Sequence, residues 1–122
     1  MHSEIMIAVS DVRASAAWYC QLLGCMNDHG RPDFDRLVKD GQVLLMLHQT
    51  PAEEHGLTEP VPGAIGSGVL LWMYVDDLDA VFERARKLKA PIVVEPHTNA
   101  QAGWREFTLR DPDGYRVAIA ET

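Results

Sequence analysis

The side chains able to do chemistry in this sequence are few and of a particular kind. Trp72 and Tyr74 stand two apart in an apolar run and offer flat faces that stack on a planar ligand or attract a cation. The same two rings serve equally to fill a sheet-to-sheet interface in a dimer. Trp104, next to a polar loop, is either a lid over a ligand or plain core, and Phe34 adds a further ring. Met46 is a soft, adaptable filler of apolar space. His48 has the imidazole chemistry of a general base, and as a strand-end residue it fits a surface or turn role as well. Glu4 and Arg116 bring opposite charges: Glu4 faces a cationic ligand, or pairs internally with Arg116 or Arg105. No residue is assigned a catalytic role.

Positioning these groups takes strands. Residues 104–120 read as two strands over the turn Asp111-Pro112-Asp113-Gly114, in which Pro fixes φ, Asp bonds back to its own backbone and Gly takes a positive φ. Earlier, residues 5–9 form a short apolar strand and Ser10-Asp11 offer capping oxygens. Val12, Ala16, Tyr19 and Leu23 share one helical face, and Gly24 ends the helix. Residues 26–32 are a polar edge strand or loop. Strands over 34–38 and 43–48 flank the hairpin turn Lys39-Asp40-Gly41-Gln42. Residues 50–67, punctuated by Pro51, Pro60, Pro62, Gly56, Gly63 and Gly66, read as a linker or mobile loop. A strand over 69–75 follows, then a helix capped by Asp76-Asp77 whose stripe is Leu78, Val81, Phe82, Ala85 and Leu88. Pro91 closes it. Residues 92–95 form a strand and 96–103 a polar loop.

Alternation along the strands sorts two faces. Ile5, Ile7, Val9, Val43, Leu45, Leu47, Val69, Leu71, Met73, Val75, Val117 and Ile119 form an aliphatic face expected under the helices. The opposite face mixes Glu4, Met6, Ala8, Leu44, Met46 and His48 with Leu70, Trp72, Tyr74, Arg116, Ala118 and Ala120, as a pocket lining does.

With 122 residues, 47% hydrophobic and 24% charged, the chain reads as one soluble domain. No apolar run approaches the ~20 residues of a membrane span, and no secretory leader pattern is visible, so the cytoplasm is the default expectation. A net charge of −7 argues against nucleic acid as a partner; it suits a cationic ligand and also plain solubility. Cys20 and Cys25 are too few and too close for a disulfide framework and are expected to be buried, reduced thiols.

The halves repeat. Val9, Asp11, Ala14 and Leu22 match Val75, Asp77, Ala80 and Leu88, each 66 residues apart, and both halves run strand, helix, strands. This predicts an α+β fold of two βαβββ modules, about 4–49 and 68–121, joined by the 50–67 loop into a single domain.

Residues 5–23, the middle Val69-Leu70-Leu71-Trp72-Met73-Tyr74-Val75-Asp76-Asp77 and the ending from Trp104 through Asp-Pro-Asp-Gly-Tyr to Ile119 resemble the vicinal oxygen chelate superfamily of glyoxalases, extradiol dioxygenases and bleomycin-resistance proteins. The resemblance implies a curved mixed sheet with helices on its outer face. Metal-using members carry four ligand positions on the sheet, which match Glu4, Met46, Leu70 and Ala118 here. Only Glu4 is a donor for a hard or borderline metal. Shifting the second position by two residues brings in His48, which still leaves two ligands where a typical catalytic site has three. The expectation is therefore no metal and no cofactor. Trp-x-Tyr in the middle strand and Trp-Arg-Glu-Phe-Thr-Leu-Arg-Asp-Pro near the end are most similar to metal-free bleomycin-resistance-type proteins. Those act by sequestering a cationic, aromatic antibiotic between two subunits. The resemblance implies a homodimer that binds a planar or cationic small molecule. The alternative is a metal-dependent glyoxalase-type lyase or dioxygenase using Glu4 and His48, and a third reading is an interaction module without a small-molecule site.

Overall fold

Each half opens by turning a short strand into a capped helix, and the cap is the same in both. In the computed structural model, which describes residues 1–57 and 65–122, Asp11 Oδ1 accepts a hydrogen bond from the Ala14 N–H at 3.0 Å, and Asp77 Oδ1 accepts one from the Ala80 N–H at 3.0 Å. The chain divides into two compact units, Met1–Pro60 and Val61–Thr122.

The first unit contains β1 (Met6–Val9), α1 (Val12–Leu23), β2 (Met26–Asn27), β3 (Phe34–Lys39) and β4 (Gln42–Gln49). Its sheet order is β1-β4-β3-β2, with β1 parallel to β4 and the other pairs antiparallel. Gly24 ends α1 in the left-handed region at φ 68, donating its N–H to the Cys20 carbonyl. Asp40 and Gly41 both take positive φ, as the predicted Asp-Gly hairpin turn demands. Ile7, Val9, Leu37, Leu45 and Leu47 are buried, as are Val12, Ala16, Tyr19 and Leu22 of α1.

The second unit repeats the plan with β5 (Leu70–Tyr74), α2 (Leu78–Lys87), β6 (Ile92–Thr98), β7 (Arg105–Arg110) and β8 (Arg116–Glu121). Its order is β5-β8-β7-β6, with β5 parallel to β8. Asp79 in the first turn of α2 and Arg84, Arg86 and Lys87 in its last oppose the helix dipole. Leu71, Phe107, Leu109, Val117 and Ile119 are buried on one face with Leu78, Val81 and Ala85 of α2, and Phe82 of α2 meets the edge of Phe107 at 5.1 Å. The turn into β8 forms as expected: Asp111 Oδ1 accepts the N–H groups of Asp113 and Tyr115 at 3.0 and 2.9 Å. Gly66 leaves room for the ring of Tyr115, because a Cβ there would stand 2.8 Å from it. The expected α+β fold with a duplicated strand-helix plan is thus observed. Among the described residues, no helix is long and apolar enough to cross a membrane.

Three local expectations are corrected. Ile5 and Val69 are 55% and 50% exposed, because each precedes the first residue of its strand and strand alternation does not govern it. Strand β6 continues to Thr98 across Pro96, where 96–103 is expected as loop; register shifts in its pairing with β7 absorb the missing proline N–H. The 50–67 segment contains an ordered 3₁₀ turn, Glu53–His55, with Ala52 bridged to Leu57. Its residues 58–64 lie outside the described residues.

Cys25 is buried and Cys20 half-buried, both as free thiols with their sulfurs 3.8 Å apart. Burial, and then the neighbouring Cys20, push the Cys25 thiol up to about 12. The folded thiol therefore holds its proton more tightly than the unfolded one. Its contribution to stability is whole below the ordinary thiol value of 9.0 and is lost as pH rises from there toward about 12. The expected outcome is an alkaline decline in unfolding free energy that Cys25→Ala flattens, measured by urea denaturation from pH 7 to 11. An unchanged slope in the variant would contradict this account.

Candidate functional site

In the second unit the sheet register gathers three predicted site residues. Trp72 on β5 lies opposite Ala118 on β8, which lies opposite Thr108 on β7; Tyr74 lies opposite Ala120, which lies opposite Glu106, which lies opposite His97 on β6. Two residues apart on a strand means the same face, so Trp72, Tyr74 and Glu106 share the face turned away from Phe107. Trp104, two residues before Glu106, joins them. The ring centroids of Trp72, Tyr74 and Trp104 are 6.0 to 6.3 Å apart in all three pairs, with planes inclined by 65° to 87°. Ala118 and Ala120 are small, fully buried residues beside this cluster.

A carboxylate completes the group. The Trp104 indole N–H donates to Glu106 Oε2 at 2.8 Å, Asn99 Nδ2 donates to Oε1 at 3.4 Å, and His97 Nε2 lies 3.5 Å from Oε1. Glu106 thus enters this face, while Arg105 turns the other way and binds Asp79 at 3.1 Å. Tyr74 is 65% and Trp72 37% exposed, which leaves ring surface open to solvent. Arg116 is half-buried at the start of β8, opposite Leu70 and Arg110.

The first unit presents its own set. Phe34 lies opposite His48, Arg36 opposite Met46, and Met46 opposite Met6, all on one face of the sheet. A row of rings runs His29–Phe34–His48–His55, with centroids 5.2, 6.3 and 5.2 Å apart. The row is anchored from below by Asp35, 1% exposed, whose Oδ1 accepts the N–H groups of His29, Gly30 and Arg36 at 3.0, 3.0 and 2.9 Å and whose Oδ2 accepts Asn27 Nδ2 at 2.9 Å. Arg36 pairs with Asp28 at 2.6 Å, and this bond holds the Asp28 carboxyl below the ordinary range. Glu4 pairs with His2 at 3.0 Å.

His48 gathers two residues that the sequence analysis missed. Its Nε2 is 2.8 Å from Glu54 Oε1, and His55 Nε2 is 3.9 Å from the same oxygen. A hydrogen bond from its own backbone N–H, helped by His48 and His55, holds the Glu54 carboxyl below its usual range. The spacing His48…Glu54-His55 was the available signal, hidden in a stretch whose prolines and glycines read as a loop.

Of the four positions marked by family resemblance, Glu4 precedes β1, Met46 lies on β4, Leu70 opens β5 and Ala118 lies on β8. Glu4 and Leu70 are 66 residues apart, and Met46 and Ala118 lie opposite Met6 and Trp72, which are also 66 apart. The donor set of carboxylate, thioether and two hydrocarbons does not fit a catalytic divalent metal.

A family model described as Glyoxalase/Bleomycin resistance protein/Dioxygenase superfamily matches residues 3–119. No curated protein matches the chain. Among solved structures, a protein of unknown function from Agrobacterium tumefaciens aligns with a TM-score of 0.82 at 21% identity, covering 100% of this chain and 94% of that one. A hypothetical protein from S. aureus aligns at 0.80 with 14% identity, covering 100% and 94%. A glyoxalase/bleomycin resistance protein/dioxygenase family enzyme from Burkholderia phytofirmans aligns at 0.76 with 20% identity, covering 98% and 96%. At these identities the likeness speaks for the fold.

Proposed function

Since this chain belongs to the glyoxalase/bleomycin resistance protein/dioxygenase superfamily, a scaffold whose sites and not its fold set its chemistry, we propose that it is a small-molecule-binding protein of the bleomycin-resistance type, working as a homodimer and without metal at the four strand positions. The observation that carries this reading is the cluster of Trp72, Tyr74 and Trp104, three mutually inclined rings about 6 Å apart, beside the carboxylate of Glu106. Inclined rings offer π-faces to a cation from more than one side, and flat cationic ligands gain from both stacking and charge. The net charge of −7 favours the same ligands at long range. Exposed apolar residues on and beside β5, namely Val69, Leu70, Trp72 and Tyr74, suit a surface covered by a second copy.

The test is a titration of untagged protein with bleomycin and with phenyltrimethylammonium, followed by tryptophan fluorescence and by melting temperature. Binding of either ligand quenches fluorescence and raises the melting temperature. Trp72→Ala weakens binding about tenfold, equivalent to ~1.4 kcal/mol of lost ring contact. Trp18, paired with Tyr19 in α1, remains as an unquenched background. No quenching and no thermal shift at saturating concentrations would remove this proposal. Turnover that appears only after metal loading would favour the lyase or dioxygenase alternative.

A further inference from the structure

We propose that His48, Glu54 and His55 form a divalent transition-metal site, best suited to Zn²⁺, separate from the four strand positions of the superfamily. Among the described residues these are the one group of three potential ligands whose donor atoms all lie within 4.8 Å of one another. Donor atoms on a single tetrahedral Zn²⁺ stand about 3.3 Å apart, a separation that follows from metal–ligand bonds near 2.0 Å. The distances of 2.8 and 3.9 Å from Glu54 Oε1 to the two imidazole nitrogens bracket that value. Small rotations of two exposed side chains bring the set to it.

The electronic arrangement points the same way. His48 Nδ1–H donates to the Gln49 carbonyl at 2.9 Å. That bond fixes the ring orientation and turns Nε2 toward the carboxylate, the outer-shell pattern of metal-bound histidines. Nε2 and the carboxylate oxygen, 2.8 Å apart, are joined through a cation shared between them. A proton fills that place, and a divalent ion fills it while also recruiting His55.

The scaffold is built to hold the group. His48 is the second-to-last residue of β4, with its side chain 12% exposed. Glu54 and His55 ride on the 3₁₀ turn Glu53–His55. That turn is pinned by a two-way backbone bridge between Ala52 and Leu57 at 3.1 and 3.0 Å, and by the fully buried Ala52. Glu54 and His55 are 62% and 48% exposed, so a bound ion keeps coordination positions open to water. Two imidazoles and one carboxylate select Zn²⁺ or Ni²⁺ over Mg²⁺ and Ca²⁺. Met46, at the family position two residues earlier on β4, takes no part.

The experiment uses untagged full-length protein, stripped with chelator and titrated with Zn²⁺ by calorimetry, with bound zinc counted by mass spectrometry. One Zn²⁺ per chain is expected. Glu54→Gln and His55→Ala, both at exposed positions that leave the fold intact, each weaken binding by more than about tenfold. His97→Ala and His29→Ala leave it unchanged. Absence of zinc binding by the unmodified protein, or equal binding by the Glu54 and His55 variants, overturns the proposal. Neither outcome touches the ligand titration of the aromatic cluster, which is carried by other residues.

Discussion

Replacing Asp35 with alanine destabilises the protein by about 3–5 kcal/mol, because a buried carboxylate that serves four donors at once is lost. The carboxylate gathers three backbone N–H groups on one oxygen and an Asn27 amide on the other, at 2.9 to 3.0 Å. It is the fastener of the turn between β2 and β3, whose residues otherwise have few partners within the sheet. Asp35→Asn keeps one acceptor oxygen but sets an NH₂ group against the Asn27 amide, and costs a smaller amount, about 1.5–3 kcal/mol. Urea denaturation of the three proteins separates these effects. An Asp35→Ala variant within 1 kcal/mol of the parent would mean that water satisfies the donors and that the clasp is decorative.

Phe107→Ala is the second large effect, at about 3–5 kcal/mol. Phe107 has no exposed surface, sits opposite Ile119, and meets Phe82 edge-on at 5.1 Å. Removing the ring leaves a cavity between α2 and the sheet that neighbouring strands cannot close. Phe107→Leu fills most of that volume and costs less than half as much. The same denaturation experiment on Trp72→Ala, whose ring is part-exposed, gives a change below about 1 kcal/mol. This contrast separates the two faces of one sheet: Phe107 holds the fold, and the fold does not depend on the Trp72 ring. Equal losses for Phe107→Ala and Trp72→Ala would mean that the aromatic cluster is core.

How much of this was legible in the sequence depended on whether a residue acts through local chemistry or through distant neighbours. The caps at Asp11 and Asp77, the Asp40-Gly41 turn and the Asp111–Gly114 turn were readable because each works within a few residues. The duplication was readable from the 66-residue spacing of those same caps. Strand alternation placed Trp72 and Tyr74 on one face, yet it could not say which of Arg105 and Glu106 joined them, because that depends on the register of β7 against β8. Pro96 ended β6 too early on paper, since an edge strand tolerates a proline where a central one does not. Asp35 looked like an ordinary strand residue; its role comes from a turn that doubles back over it. Glu54 and His55 are hard to see in the sequence because the prolines and glycines around them suit an ordered turn and a mobile loop equally.

The parallel pairing of first and last strands has a consequence for how the chain folds. Met6 pairs with Met46, and Leu70 with Arg116, so β1 and β5 are each completed by the strand that ends their own unit. The two closures span similar stretches of chain, and their entropic costs differ by only about 0.1 kcal/mol. During synthesis β1 leaves the ribosome without a sheet to join and stays unpaired until β4 follows, while the hairpin of β3 and β4 needs only its own turn. This geometry implies that each unit nucleates at its C-terminal hairpin and captures its first strand late, twice over and at nearly matched speeds.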